Sequence, residues 1–242
     1  MSSTTPRYLL LQGRLLADPM RLQEIRCFAR ALECDETQFT ALDLLRDRPS
    51  LDQVEAFDVV LIGGSGAYSI AGEEDWVEYV LEMMRGLHDR RIPSFGSCWG
   101  FQVMARALGG TVVSDPQRAE LGTIPLELTE AALRDPVFGG CTNPLLGQQG
   151  HQDIVTALPP DAVLLASSSR VINEAFCFTD RPIYCTQFHP ELRRADFVER
   201  CHAYPEYVDR IAGLPLNEFI ETVQETPQAH RLIRRFVDHV LA

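Results

Sequence analysis

The chain has 242 residues, 45% of them hydrophobic and 23% charged, enough to bury a substantial core in one large α/β unit or two small ones. Its formal net charge of −12 argues against non-specific attraction to nucleic acid or an anionic membrane surface, which leaves small molecules and other proteins as partners. Seven cysteines, odd in number and without Cys-x-x-Cys spacing, argue against a disulfide scaffold or a zinc ribbon and fit the reduced thiols of a cytoplasmic protein.

Met1 to Arg7 carries no basic leader pattern, and Tyr8-Leu9-Leu10-Leu11 is too short for a signal-peptide core. No apolar run approaches membrane-spanning length. Tyr8 to Gln12 reads as a first buried strand. Asp18-Pro19 then caps a helix with Leu22, Ile25, Ala29 and Leu32 on one face. Gln38 to Leu42 is a second strand and Asp58 to Ile62 a strong third one, stopped by Gly63-Gly64-Ser65-Gly66. Glu73-Glu74-Asp75 opens a long helix with Trp76, Val77, Val80, Leu81 and Met84 at helical spacing. An apolar run, Arg91 to Phe95, follows and feeds Gly96-Ser97-Cys98-Trp99-Gly100. A helix from Gln102 comes next and ends at Gly109-Gly110. Strands alternating with helices over this first part predict a mostly parallel sheet covered on both faces.

The middle changes character. Thr111–Val113, Thr123–Leu128, Ala162–Ala166, Ala175–Phe178 and Ile183–Phe188 read as short strands, several joined by turns, which predicts hairpins or a mixed sheet edge. After Glu191 the chain is helical. Thr226-Pro227 starts a final helix whose Leu232, Ile233, Phe236, Val237, Val240 and Leu241 form one apolar stripe that either packs on the domain or forms an interface. The expected architecture is one domain over 1–242, with a core at about 7–191 and a helical segment over 192–242.

Gly-x-Cys-x-Gly between a strand and a helix is the thiol form of a nucleophile elbow. The glycines are needed because a nucleophile on a strained turn brings neighbouring backbones together. The helix that starts there turns its positive end toward the sulfur and favours its anionic, nucleophilic form. A thiol on such a turn needs a base. His189 directly follows the last strong strand, at the carboxyl edge of the sheet where the elbow also lies. Glu191, two residues on, is placed to hydrogen-bond the imidazole and fix its tautomer. The Gly63–Gly66 run at the end of the third strand can offer amides to an oxyanion, with the Trp99 N–H as second donor. It is not a phosphate loop, since no Gly-Lys-Ser/Thr follows.

Together these motifs resemble the class I, triad-type glutamine amidotransferases, with Ala107–Gly110, Glu120-Leu121-Gly122, Gly150-His151-Gln152-Asp153-Ile154-Val155 and Gln187-Phe188-His189-Pro190-Glu191 as further landmarks. The likeness is to GMP synthetase-type glutaminase domains and runs from about Val59 to Glu191. It implies a flavodoxin-like three-layer α/β sandwich with a mostly parallel central sheet and a smaller mixed or antiparallel one. It also implies a Cys98 nucleophile, a His189 base, Glu191 as its orienter, and an oxyanion hole from Gly64 and Trp99. Gly63, Ser65, Gln102 and His151 would line the glutamine site, with no metal and no cofactor required. The resemblance departs at Ser97, at bulky Trp99, and in a longer loop at 65–70 without the usual proline. No synthetase domain follows, so the ammonia acceptor would be a separate synthase protein. Two other functions stay open: a γ-glutamyl peptidase or hydrolase with the same thioester chemistry, and a non-catalytic binding or regulatory module of the same fold.

Overall fold

The structure, a computed structural model, describes residues 5–242. Met1 to Thr4, part of the stretch read above for a leader, lie outside them. The strands are β1 (Tyr8–Gln12), β2 (Phe39–Asp43), β3 (Val59–Ile62), β4 (Ser94–Ser97), β5 (Thr111–Ser114), β6 (Glu120–Leu128), β7 (Leu145–His151), β8 (Asp153–Ala157), β9 (Ala162–Ser167), β10 (Ala175–Phe178) and β11 (Arg181–Thr186). The helices are α1 (Met20–Ala31), α2 (Leu51–Val54), α3 (Val77–Asp89), α4 (Trp99–Ala107), α5 (Glu130–Arg134), α6 (Arg194–Ala203), α7 (Pro205–Tyr207), α8 (Leu216–Thr222), α9 (Pro227–His230) and α10 (Leu232–Val240). A π-helical turn, Val208–Ala212, follows α7.

Nine strands form one sheet in the order β2-β1-β3-β4-β11-β10-β9-β6-β7, and β5 and β8 pair separately. From β2 to β11 every neighbour is parallel, and from β11 to β7 every neighbour is antiparallel. The mixed edge expected from the turn-linked middle is therefore half of the large sheet. The crossover helices serve the parallel half, where successive strands need long connections, and the tight turns serve the other.

The sheet separates two cores, and β1 shows why its sequence is apolar throughout. Leu9 and Leu11 face one side with Val60 and Ile62, under α3 and α4. Tyr8 and Leu10 face the other with Val59 and Leu61, against Phe28 of α1 and Phe236 of α10. A strand buried on both faces has no solvent side for polar residues. The stripe of the last helix thus packs on the sheet: Leu232, Ile233, Phe236 and Val237 are buried, each side chain contributing about 1.5–3 kcal/mol.

Two expectations about helix faces are corrected. Leu22 is 67% exposed, because α1 turns Gln23 and Glu24 inward together with Cys27 and Phe28. At this end of the sheet the helix feeds a polar site rather than a core. The final helix is divided into α9 and α10 at Arg231, and Leu241 lies beyond it, 42% exposed. A third apolar cluster joins Leu192, Phe197, Cys201, Val208, Phe219 and Val223, and it anchors the segment after Glu191 over the carboxyl edge of the parallel strands.

Candidate active site

Strand register assembles the site. Ile62 is level with Gly96, and Ser97 is level with Thr186, so the chain leaves β3, β4 and β11 at one edge. Gly63-Gly64, Cys98 and Gln187 to Glu191 emerge there side by side. The Cys98 N–H donates to the Thr186 carbonyl at 2.8 Å, which ties the elbow to the strand that leads to His189.

Cys98 has φ 54° and ψ −101°, a strained geometry for a residue with a side chain. The flanking glycines are there because backbone crosses backbone. A Cβ on Gly96 would stand 2.7 Å from the Gly100 carbonyl, and one on Gly100 would fall on the Ile62 carbonyl oxygen. Bulky Trp99 is accommodated from the opposite side: its indole lies against Gly13, where a Cβ would be 3.0 Å from the ring.

His189 Nδ1 lies 2.7 Å from Glu191 Oε1, and Ser97 Oγ donates to Glu191 Oε2 at 2.8 Å. Arg200, on α6, reaches within 3.7 Å of the same carboxylate. Both members of the pair are buried, Glu191 completely. Burial alone would lower the His189 pKa, but the charges of Glu191 and Cys98 and the hydrogen bonds to both outweigh it and raise it to about 9. Burial would raise Glu191, yet His189, then Arg200 and Ser97, hold it down at about 2. The carboxylate thereby favours the protonated imidazole and fixes its Nδ1 side. A thiol nucleophile with an oriented acid/base is equipped for acyl transfer.

The Gly64 N–H, expected to face the oxyanion, instead donates to Glu24 Oε1 at 3.1 Å. Glu24 is fully buried and needs donors; it also accepts from Gln12 Nε2 at 2.9 Å and Arg14 Nη2 at 3.0 Å. Gly64 still belongs to the centre, for a Cβ there would stand 2.8 Å from His189 Cε1 and 3.7 Å from Cys98 Cβ. The Trp99 N–H, first in α4, has no backbone partner among the described residues and is the available donor.

The other expected residues are brought to the same edge with unequal roles. Gly63 packs its Cα on the Glu24 carboxylate, 2.5 Å from a Cβ placed there, and its carbonyl accepts the Gly100 N–H. Ser65 borders the cavity beside Cys98 and accepts the Tyr68 N–H. Gln102 Nε2 donates to the Asp153 carbonyl at 2.9 Å and to Gln187 Oε1 at 3.1 Å. Gln187 Nε2 in turn points at Cys98 Sγ, 3.8 Å away. His151 borders the cavity too, but its ring turns inward, Nε2 being 3.4 Å from Glu120 Oε2 and 3.9 Å from Glu174 Oε1.

Glu120, His151 and Glu174 offer ligand atoms within 4.8 Å of one another and are the group whose donor set could hold a cation. Burial, and then the Glu120 carboxylate, push Glu174 well above the usual range, so a proton on Glu174 lets the two acids stand together. Sequence reasoning missed Ser97, Gln187, Arg200, Arg14 and Glu24. Ser97 and Gln187 had a signal, since each lies within one of the motifs though no role was given to it. The other three come from helix or loop positions whose inward direction no local pattern reveals.

The class-I glutamine amidotransferase family model matches residues 22–199. The chain is 29% identical over 147 residues to a glutamine-hydrolysing GMP synthase subunit of Sulfolobus acidocaldarius, covering 61% of this chain and 74% of that protein. It is 29% identical over 194 residues to gamma-glutamyl peptidase 3 of Arabidopsis thaliana, covering 76% and 74%. Longer glutamine-hydrolysing GMP synthases are matched over 19% to 24% of their length. A glutamine amidotransferase of Thermotoga maritima superposes with a TM-score of 0.77 at 20% identity, over 98% of this chain and 99% of that one, a likeness of fold. The family match spans most of the chain, including the elbow and the His189–Glu191 stretch: this protein belongs to the class-I glutamine amidotransferase family.

Proposed function

We propose that the protein hydrolyses the γ-amide of glutamine or another γ-glutamyl compound through a thioester on Cys98. The observation that carries this reading is the buried Glu191–His189 pair beside a cysteine on a strained elbow. Cys98 sulfur attacks the γ-carbonyl carbon and a C–S bond forms. The carbonyl oxygen takes the charge and is met by the Trp99 N–H, with Gly64 joining if its peptide turns from Glu24. The C–N bond then breaks as the His189 imidazolium gives its proton to the departing nitrogen. Water next attacks the thioester while His189 accepts its proton; the C–S bond breaks, glutamate leaves, and the proton returns to the thiolate–imidazole pair. With glutamine the nitrogen leaves as ammonia, for which a separate synthase is the acceptor. With a γ-glutamyl peptide it leaves as an amine. The second case is favoured by one feature, the chain's own C-terminal segment walling the site on the side of His189.

The test incubates the protein with glutamine and with γ-glutamyl dipeptides and measures ammonia, amine and glutamate, with Cys98→Ala as control. Glutamate release that disappears in Cys98→Ala is the expected result. Undiminished turnover by that variant overturns the assignment.

A further inference from the structure

Two recesses meet at Cys98. One is polar, about 210 Å³, and contains Ser65, Gln102, Asp153 and Arg210. The other is smaller, about 70 Å³, and is walled by Leu121, Leu192, Phe197, Tyr204 and Val208, four of them from the segment after Glu191. His189 lines the second recess and not the first. A proton passes only between atoms within hydrogen-bond reach, so the nitrogen that receives the His189 proton departs on the apolar side. The polar recess, with an aspartate and an arginine, has the paired charges that a glutamyl α-ammonium and α-carboxylate require.

The apolar recess, about 70 Å³, has room for roughly two water molecules at about 30 Å³ each, the space of a short alkyl group. Ammonia would leave those walls without a contact. The two cations there are already engaged: Arg14 with Asp18 and Glu24, and Arg200 with Glu191. The walls beyond those two cations are apolar, so a second acidic side chain on the amine would lose its hydration against them. Arg14 Nε keeps its one N–H, and Arg200 Nη2 its two, without a hydrogen-bond partner, and an α-carboxylate could use them. Tyr207 bonds the Gly66 carbonyl at 3.0 Å and lines both recesses, so the segment that forms the apolar wall also braces the loop after β3.

We propose that the substrate is a γ-glutamyl amide of a small apolar amine, whose short alkyl substituent lies in the recess built by α6, α7 and the turn at 208–212. The inference rests on the thioester reading above and specifies its leaving group. The C–S bond forms as before, the C–N bond breaks, and the nitrogen takes the His189 proton and departs as a neutral amine. Water then releases glutamate. A simple amine and the amine of an apolar amino acid share this chemistry.

Glutamate release is measured for glutamine, γ-glutamyl-propylamide, γ-glutamyl-valine and γ-glutamyl-glutamate. At least one of the two alkyl substrates should exceed both glutamine and γ-glutamyl-glutamate in kcat/KM by about 10-fold or more, and which one leads tells whether the α-carboxylate is used. Leu121→Phe, at a partly buried position, narrows the recess and should lower the alkyl-to-glutamine ratio about 10-fold. Phe197→Leu, which widens it, should shift preference toward a benzylamide. Turnover of glutamine at least as efficient as that of both alkyl amides, or an alkyl-to-glutamine ratio unmoved by either folded variant, overturns the leaving-group assignment alone. Absence of glutamate from every substrate, with Cys98 unlabelled by an electrophilic glutamine analogue, overturns the thioester reading with it.

Discussion

Glu24 Oε1 accepts the Gly64 N–H at 3.1 Å and the Arg14 guanidinium at 3.0 Å, so one buried carboxylate joins the loop after β3 to a buried cation. Burial alone would lower the Arg14 pKa, but Glu24, then Asp18, outweigh it and hold it well above its ordinary value. Glu24→Ala leaves that buried charge to Asp18 alone, and breaking the buried pair should cost about 3–5 kcal/mol of stability. Glu24→Gln combined with Arg14→Met removes both charges and should recover part of the loss. Urea denaturation of these variants measures this; a Glu24→Ala cost below about 1 kcal/mol contradicts the pairing.

The Glu191–His189 pair sets two pH windows. His189 is raised from 6.5 to about 9, so its contribution to stability is complete below about 6.5 and is lost as pH rises through about 9. Glu191 is lowered from 4.5 to about 2, so its contribution is present above about 4.5 and is lost as pH falls through about 2. Glutamate release should decline as pH passes about 9, where the imidazolium loses the proton meant for the leaving nitrogen. Glu191→Gln removes the charge that does most to raise His189 and should move that alkaline limb toward lower pH. A limb at the same pH in Glu191→Gln would show that another group sets it.

Ser97→Ala deletes the hydroxyl that donates to Glu191 Oε2 at 2.8 Å. A hydrogen bond to a buried charge contributes about 1.5–3 kcal/mol, so kcat/KM should fall roughly 10- to 100-fold. The loss should appear in kcat rather than KM, because Ser97 touches the orienting carboxylate and not the cavity. Steady-state kinetics on a γ-glutamyl substrate separate the two.

Glycine substitutions should divide by what each Cβ would meet. Gly100→Ala drives a methyl into the Ile62 backbone and Gly96→Ala into the Gly100 backbone, and neither neighbour can move without breaking the elbow. Both should lose folded protein or at least about 3 kcal/mol, roughly the upper end of overpacking costs. Gly66→Ala meets nothing within 4 Å and should be neutral within about 0.5–1 kcal/mol. Thermal melts of the three variants decide.

Phe236→Ala removes a ring that packs on Phe95 and Tyr184, 5.5 and 5.6 Å between centroids, and should cost about 3–5 kcal/mol. A cost near zero would mean that α10 is dispensable to the sheet.

Local chemistry made much of the protein legible before any coordinates. The uniformly apolar β1 and β3, the glycines about Cys98, the histidine just past β11, the acidic run before α3 and the glycines after α4 are all properties of short stretches. Short stretches are what propensity, turn sterics and helix dipoles govern. Cys98, His189 and Glu191 could be singled out because each follows a recognisable strand end. Other features depend on residues distant in the chain. The Gly64 N–H bonds Glu24 rather than facing the nucleophile because a helix forty positions earlier turns a buried acid toward it. Leu22 is exposed because α1 turns Gln23 and Glu24 inward together with Cys27 and Phe28. His151 turns from the cavity because Glu120 and Glu174 need its ring. The sequence by itself determined the strand–helix alternation, the strained thiol elbow and the His189-Pro190-Glu191 run that meets it, through local sterics and motif order. Only the tertiary structure decided which donors meet which buried charges, and that the segment after Glu191 closes an apolar wall beside His189, because compensation of buried charge and exclusion of water depend on neighbours that chain order does not supply.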